Sequence, residues 1–511
     1  MISKVLSAAI VGINAYIVGV ETDISPQMPS FTTVGLPETA VKESKDRVKA
    51  AIKNSGYYFP AKKVTINLAP ADVKKAGTAF DFPMAIGILA ATGQIRRDDF
   101  SDVVFLGELS LDGTLRPING ILPMAMKLRE LGGKKLLLPK GNASEAAIAE
   151  DLPIYSIRNL AEAVKFLEEG NSIQPHKIDI KRVFNQASVY EIDFSDVKGQ
   201  EHAKRAMEVA AAGGHNILLI GPPGSGKTML ARRLPTILPH MTLDEALETT
   251  KIHSVAGLLP KGTPLLATRS FRSPHHTISD AGLIGGGAYP KPGEVSLAHH
   301  GVLFLDELAE FKRSVLDMMR QPLEDGQVTI SRASMSLTYP SRFMLAAAMN
   351  PCPCGYFGDE FHECKCSTGA IMKYRSRVSG PLLDRIDIHI DMPSVQYEDL
   401  ASMPSGEESE AIRERVNRAR EIQVKRFMDR PDIFGNAHMN SRDIQRYCRI
   451  GEKSANLLKV AINRLGLSAR AYNRILKVGR TIADLSESED ILPEHIAEAI
   501  QYRSLDRNLW N

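Results

Sequence analysis

The sequence predicts a multidomain α/β protein, and three observations carry that expectation. Residues 191–392 alternate short apolar strands with helices, the pattern of a parallel sheet layered with helices. Residues 393–511 read as almost entirely helical, and residues 1–170 mix strand-like alternation with helices as an α+β block does. A chain of 511 residues has room for two to four such domains, each with its own core. Its 43% hydrophobic and 24% charged residues exclude a disordered chain. The 63 basic and 60 acidic side chains nearly cancel, so any nucleic-acid surface has to be local.

In the first block, residues 1–20 carry a lysine at position 4 and a mostly apolar run, the look of a secretory signal. Asn14 and Tyr16 interrupt that run and residues 12–20 read as a strand, which favours a folded segment. Helices are expected over 38–55, with Val41, Val48 and Ile52 on one face and Gly56 as the stop, over 78–92, and over 160–169 closing at Gly170. The apolar run 82–91 is too short to cross a bilayer. No membrane partner and a cytoplasmic location are therefore expected. Residues 171–190 are polar, basic and weakly periodic, and read as a linker.

The core opens with a buried strand at 216–220, followed at once by GPPGSGKT at 221–228 and a helical run through Leu234. This is the G-x-x-x-x-G-K-[ST] pattern in its strand–loop–helix setting. The glycines let backbone N–H groups turn inward around phosphates, and the helix N-terminus adds partial positive charge. Gly221, Pro222, Pro223, Gly224, Ser225, Gly226, Lys227, Thr228 and Met229 are the expected ATP contacts. Lys227 is placed to reach the β- and γ-phosphates, and Thr228 to ligate Mg²⁺.

A second buried strand, 301–305, ends at Asp306 and Glu307. Carboxylates at the tip of a parallel strand face the crevice where ligands bind. Asp306 would hold Mg²⁺ and Glu307 would activate the attacking water, although acidic residues there could also cap the next helix. A third strand, 343–349, ends at Asn350, whose amide could position the same water or sense the γ-phosphate. Hydrolysis also needs positive charge at the transition state. Arg385, just before the last strand, and Arg470, at the start of a C-terminal helix, are candidates, or else ordinary surface arginines.

The spacing leaves room for more. Lys227 and Asp306 lie 79 positions apart, where a bare βαβ unit needs only about 30 residues. The excess includes 272–295, rich in Gly, His and Pro; after Asp306, two short strands flank a turn at 331–334. In the last block, helices should start at Ser409, Ser441, Gly451, Ser468 and Pro493. Residues 409–430 mix many arginines with many glutamates, usually a solvated face.

Of the five cysteines, Cys448 stands alone, while Cys352, Cys354, Cys364 and Cys366 crowd into the loop 350–367. In a reducing compartment such a cluster suggests metal or free thiols before disulfides. Four thiolates suffice for tetrahedral Zn²⁺, although C-x-C is tighter than the two-to-four-residue spacing of zinc knuckles. His362 could replace one cysteine, and buried inert thiols or a rigid Pro/Gly loop are the other readings.

DVKGQEHAKRA at 196–206, the GPPGSGKT loop, AHHGVLFLDEL at 298–308, NPCPCG at 350–355 and LLDRIDIHI at 382–390 form a set. On that set the chain resembles the YifB/ComM proteins, magnesium-chelatase-like AAA+ ATPases, over essentially its whole length. The resemblance implies that Val197, Gly199 and Gln200 lie near the adenine. It implies that Arg385 is a finger supplied to a neighbour's ATP in a hexameric ring, and that Arg470 is a second sensor. The 272–295 stretch resembles a helix-2 insert and the two strands after Asp306 a pre-sensor hairpin, both directed toward a ring's pore. Arg332 at the hairpin tip then becomes a candidate DNA phosphate contact, or a solvated turn arginine.

FLGELSLDGTLRPINGIL at 105–122 and KKLLLPKGN at 134–142 resemble the proteolytic domain of Lon-type proteases. Such proteases need a nucleophilic serine and an activating lysine. The matching stretch 77–83 has no serine and the lysine's place falls near Leu122, so a Lon-like fold without peptidase activity is expected. The functional expectation is a ring-forming, C-terminally lidded ATPase that remodels DNA, by helicase or branch-migration work. The alternative is an ATPase that remodels a protein client, as magnesium chelatase does.

Overall fold

Apolar alternation along Ile2–Val11 and Asn14–Ser25 produces two long antiparallel strands, not a leader helix. Gly12 at φ +63° makes the turn between them. In this computed structural model the described residues are 2–505 apart from 76, 171–172, 288, 333–334, 395–405, 431–432 and 466–467. The chain divides into two units, one of residues 1–187 with 246–267 and one of 188–245 with 268–511.

The first unit is built on a seven-stranded mixed sheet. Its order is Ser30–Val34, Lys63–Ala69, Asn14–Ser25, Ile2–Val11, Val103–Phe105, Lys135–Pro139 and Ile154–Ile157. The helix Thr39–Asn54 buries Val41, Val48 and Ile52 as its periodicity requires. Asp81–Ala91 packs on the two longest strands and is buried on nearly every side, which explains its continuous apolar run. The stretch 171–190, expected as a linker, contains a helix, Ile180–Ala187, with Ile180 buried at its start.

Residues 246–267 join this unit although the sequence places them inside the core block. The Gly120 N–H donates to the Ser254 carbonyl at 3.0 Å, and the Ser254 hydroxyl donates to Glu145. Part of the long gap between Lys227 and Asp306 is therefore spent on completing the other unit.

The second unit holds a five-stranded, wholly parallel sheet. Its order is Phe271–Arg272, Val302–Leu305, Met344–Met349, Ile217–Ile220 and Ile388–Asp391. The three central strands are buried at every residue, the mark of a sheet covered on both faces. One hydrophobic cluster runs from Leu219 and Ile390 in the sheet to Ile475 and Ile496 in the C-terminal helices. The core and the helical block thus share one interior instead of having one each. The helices start where their caps stand: Asn440 closes a capping box before Ser441–Tyr447, and Ser468 caps Ala469–Leu485.

Within the helical block, Asp484 is fully buried and accepts from Arg426 Nη1 at 2.7 Å, Arg480 Nε at 3.1 Å and Asn436 Nδ2 at 2.8 Å. Removing the carboxylate leaves two guanidinium groups without their counterion. Asp484→Ala is expected to destabilise the second unit by about 3–5 kcal/mol. Urea unfolding of the full chain should show a lowered midpoint for that unit; an unchanged midpoint would mean the network carries no net stability.

Candidate functional site

The residues singled out in the core meet at the carboxyl ends of three adjacent strands. Ile217–Ile220 leads into a loop in which Gly224 and Gly226 take φ of +79° and +88°. A Cβ on Gly221 would lie 2.2 Å from the Met392 carbonyl oxygen, so only glycine fits there. Lys227 is buried in the loop's mouth and donates to the Gly221 and Pro222 carbonyls at 2.8 and 2.7 Å and to Ser225 Oγ at 3.3 Å. Burial lowers its pKa while nearby Asp306 opposes that shift. Met229, two residues on in the helix, is 41% exposed.

Thr228 Oγ1 donates to Asp306 Oδ2 at 2.7 Å, across 78 positions of sequence. A hydroxyl and a carboxylate oxygen converging beside a phosphate loop are the hard oxygen donors that Mg²⁺ prefers. Glu307 follows at φ +53°, a left-handed conformation that a non-glycine residue adopts only under local constraint. Its carboxylate pairs with His276 Nδ1 at 3.1 Å. Asn350 stands one residue beyond Met344–Met349, at the tip of the neighbouring strand. On the other side of the loop Val197 is buried, and Gln200 donates to the Pro393 carbonyl at 2.9 Å and the Ser225 carbonyl at 3.4 Å. Gly199 and Gln200 take φ of +65° and +56°, which turns that stretch toward the loop.

Arg385 and Arg470 lie at the opposite end of the sheet. Asn216, just before Ile217–Ile220, donates through Nδ2 to the Arg385 carbonyl at 2.8 Å and accepts from the Leu345 N–H at 2.8 Å. A strand advances about 3.3 Å per residue, so the Asn216 end lies ~16 Å from Gly221. The Arg385 side chain pairs with Glu324 and donates to the Pro381 carbonyl. Arg470 pairs with Asp384 at 2.8 Å and remains 68% exposed. Arg474, one helical turn on, pairs with Asp387, a carboxyl that burial would raise but that Arg474 and His215 hold well below the usual range. A cavity of about 510 Å³, lined by Arg342, Arg385, Arg474 and Lys477 among others, opens at this edge.

The insert and the hairpin pack together. Gln327–Arg332 pairs with Met335–Pro340, and Tyr339 Oη donates to the Pro290 carbonyl at 2.7 Å. Of the expected turn 331–334, Ser331 and Arg332 instead end the first strand, with Arg332 exposed, and Ala333 and Ser334 lie outside the described residues.

Cys352, Cys354, Cys364 and Cys366 have their sulfur atoms within 4.8 Å of one another, and Cys352 is fully buried. His362 is not in the group; its Nδ1 faces Asp359 at 3.0 Å. The Tyr356 backbone N–H draws the Cys354 thiol down to about 6. Cys448 is buried elsewhere, and burial pushes its thiol up to about 12.

Sequence reasoning missed His276, Asn216 and Arg474. His276 lies in the Gly/His/Pro-rich insert, where composition marked the segment without marking the residue.

Three family descriptions match the chain in succession: Subunit ChlI of Mg-chelatase over 20–142, Magnesium chelatase, subunit ChlI over 193–400, and Magnesium chelatase, subunit ChlI C-terminal over 406–503. The competence protein ComM of Haemophilus influenzae is 45% identical over 510 residues, covering 99% of this chain and 98% of ComM. The protein YifB of Escherichia coli is 43% identical over 511 residues, covering 99% and 98%. The magnesium-chelatase 38 kDa subunit of Rhodobacter capsulatus is 27% identical over 177 residues, only 31% of this chain and 50% of that protein. Whole-length likeness therefore lies with ComM and YifB.

If Glu307 activates water and His276 holds it in place, Glu307→Gln should keep ATP affinity and lower turnover by on the order of a hundredfold. His276→Ala should lower turnover less, with ATP binding retained. Single-turnover rates beside nucleotide titrations check both. Loss of binding in Glu307→Gln would make Glu307 structural.

Proposed function

The chain belongs to the YifB/ComM family of magnesium-chelatase-like AAA+ ATPases, and from that membership we propose that it is a ring-forming motor coupling ATP hydrolysis to DNA remodelling. The work is helicase or branch-migration movement on recombination intermediates. The family implies use of ATP and Mg²⁺. The observation that carries the hydrolytic reading is the contact between Thr228 and Asp306, which joins the phosphate loop to the carboxylate strand.

On this reading Thr228 and Asp306 hold Mg²⁺, which supplies charge neutralisation at the phosphates. Lys227 binds the phosphate oxygens, Glu307 takes the proton of the attacking water, and Asn350 orients that water. Val197, Gly199 and Gln200 border the adenine. Zinc at the four clustered thiols is the structural cofactor of the same reading.

Arg385 and Arg470 lie toward the Asn216 end of the sheet, away from this chain's own phosphate loop. On this reading Arg385 is the finger given to a neighbour's ATP and Arg470 a second sensor, and a closed ring, a homohexamer, is the working form. Pairing with Glu324 and Asp384 keeps the two side chains in place until a neighbour's phosphates compete for them.

The reading of DNA as the client is supported by the packing of the hairpin on the insert and by the exposed Arg332 at the end of its strand. The partial likeness to a magnesium-chelatase subunit favours a second reading, a protein client. The first unit is read as a Lon-like fold without peptidase activity, since 77–83 has no serine and Leu122 is fully buried and apolar. No helix among the described residues is long and apolar enough to cross a membrane. A cytoplasmic setting is part of the proposal.

ATP turnover should rise severalfold with single-stranded or forked DNA, and that gain should fade between low and moderate salt. A rate that ignores DNA at every salt concentration would transfer the proposal to the protein client.

A further inference from the structure

The cysteine loop touches both halves of the ATP site. Asn350 ends its strand, Pro351 and Cys352 follow as buried residues, and Gly355 turns at φ +90° with its N–H on the Cys352 carbonyl at 3.0 Å. A Cβ on Gly355 would lie 2.6 Å from Pro223 Cδ in the phosphate loop and 3.8 Å from Asn350 Nδ2. The loop therefore packs directly on Pro223 and beside the Asn350 amide. Its far end leads into Thr368–Arg375, capped by Ser367, and Arg375 reaches back to donate to the Pro351 carbonyl at 3.0 Å. The same guanidinium lies 5.0 Å over the Phe357 ring.

Between these two ends the four thiols draw the loop together, beside Asp359, which accepts from the Phe361 and His362 N–H groups at 3.0 and 2.8 Å. Cys352 Sγ lies 3.3 Å from Cys354 Sγ and 3.7 Å from Cys364 Sγ, and Cys354 lies 3.6 Å from Cys364. A disulfide would need about 2.05 Å. Four sulfurs at about 2.3 Å from one Zn²⁺ have tetrahedral edges of about 3.8 Å, close to these separations.

We infer that one Zn²⁺ on Cys352, Cys354, Cys364 and Cys366 ties residues 352–366 into a knot that holds the Asn350 amide and the phosphate loop at Pro223 in fixed register. The ion is thus a positioning element of the ATP site within the same chain. Zinc removal frees Asn350 from the loop and slows turnover, with Lys227 and Thr228 still able to bind nucleotide. The inference rests on the ATPase and zinc readings above.

The experiment uses the full chain, purified from zinc-supplemented cells. Metal analysis of the wild type should give one zinc per chain. Cys354→Ser/Cys366→Ser should lose the zinc and lower turnover by on the order of tenfold or more, with ATP affinity and thermal melting of the second unit nearly unchanged. Gly355→Ala keeps all four thiols but pushes on Pro223; it should keep the zinc and still lose turnover. A wild type without zinc overturns the ion, whatever its ATPase rate. Zinc-free protein, or Gly355→Ala protein, with full turnover overturns the positioning role. A wild type that binds zinc but hydrolyses no ATP refutes the ATPase reading and leaves the metal site standing. If the double variant fails to fold, Gly355→Ala decides the positioning role and wild-type zinc content decides the site.

Discussion

Five parallel strands give the second unit two unlike edges, and everything else at the site depends on that asymmetry. At the carboxyl edge every strand ends by aiming side chains and loop N–H groups into one crevice. There Thr228 meets Asp306, Lys227 fills the loop mouth, and Asn350 stands on the adjacent tip. At the amino edge Asn216 joins the approaches to the two strands that flank Ile217–Ile220, and the arginines collect around it. The two sets lie at opposite ends of the sheet within one chain. That separation supports the proposed ring, in which Arg385 reaches the phosphates of the next subunit.

The helical block is joined to the arginine edge by ion pairs and to the sheet by a common hydrophobic interior. Arg470 and Arg474, both on Ala469–Leu485, hold Asp384 and Asp387 on either side of Arg385. His215, at the end of the helix before the first core strand, faces Asp387 at 3.2 Å and Thr481 at 2.8 Å. A rotation of the helical block would therefore shift the backbone that carries Arg385. Around Asp387 that network is buried and costly to break, whereas the Arg470–Asp384 pair is largely exposed.

Much of this was legible in the sequence because the signals are local. The phosphate loop needs its glycines at fixed offsets, and a buried strand ending in Asp306 and Glu307 reads as such without a structure. The helices expected over 38–55, 78–92 and 160–169 are found at 39–54, 81–91 and 160–169. What was not legible is long-range. Nothing in residues 246–267 says that they complete the first unit. The pairing of His276 with Glu307 is made by a fold contact between an insert and a strand tip. The shared core of sheet and helical block was hidden because apolar stripes show that a face is buried and not against what. The linker reading of 171–190 missed Ile180–Ala187, a short helix whose polar composition resembles a loop.

The most direct test of the composite site mixes two inactive variants of the full chain. Lys227→Ala removes the phosphate-binding lysine, and Arg385→Ala removes the arginine given to the neighbour. If Arg385 serves the adjacent subunit, random 1:1 rings restore a complete site at about one interface in four. ATP turnover of the mixture should then rise clearly above that of either variant alone. A mixture no more active than its parts, under conditions where mixed rings are shown to form, would place Arg385 in its own chain's site or outside catalysis and contradict the account.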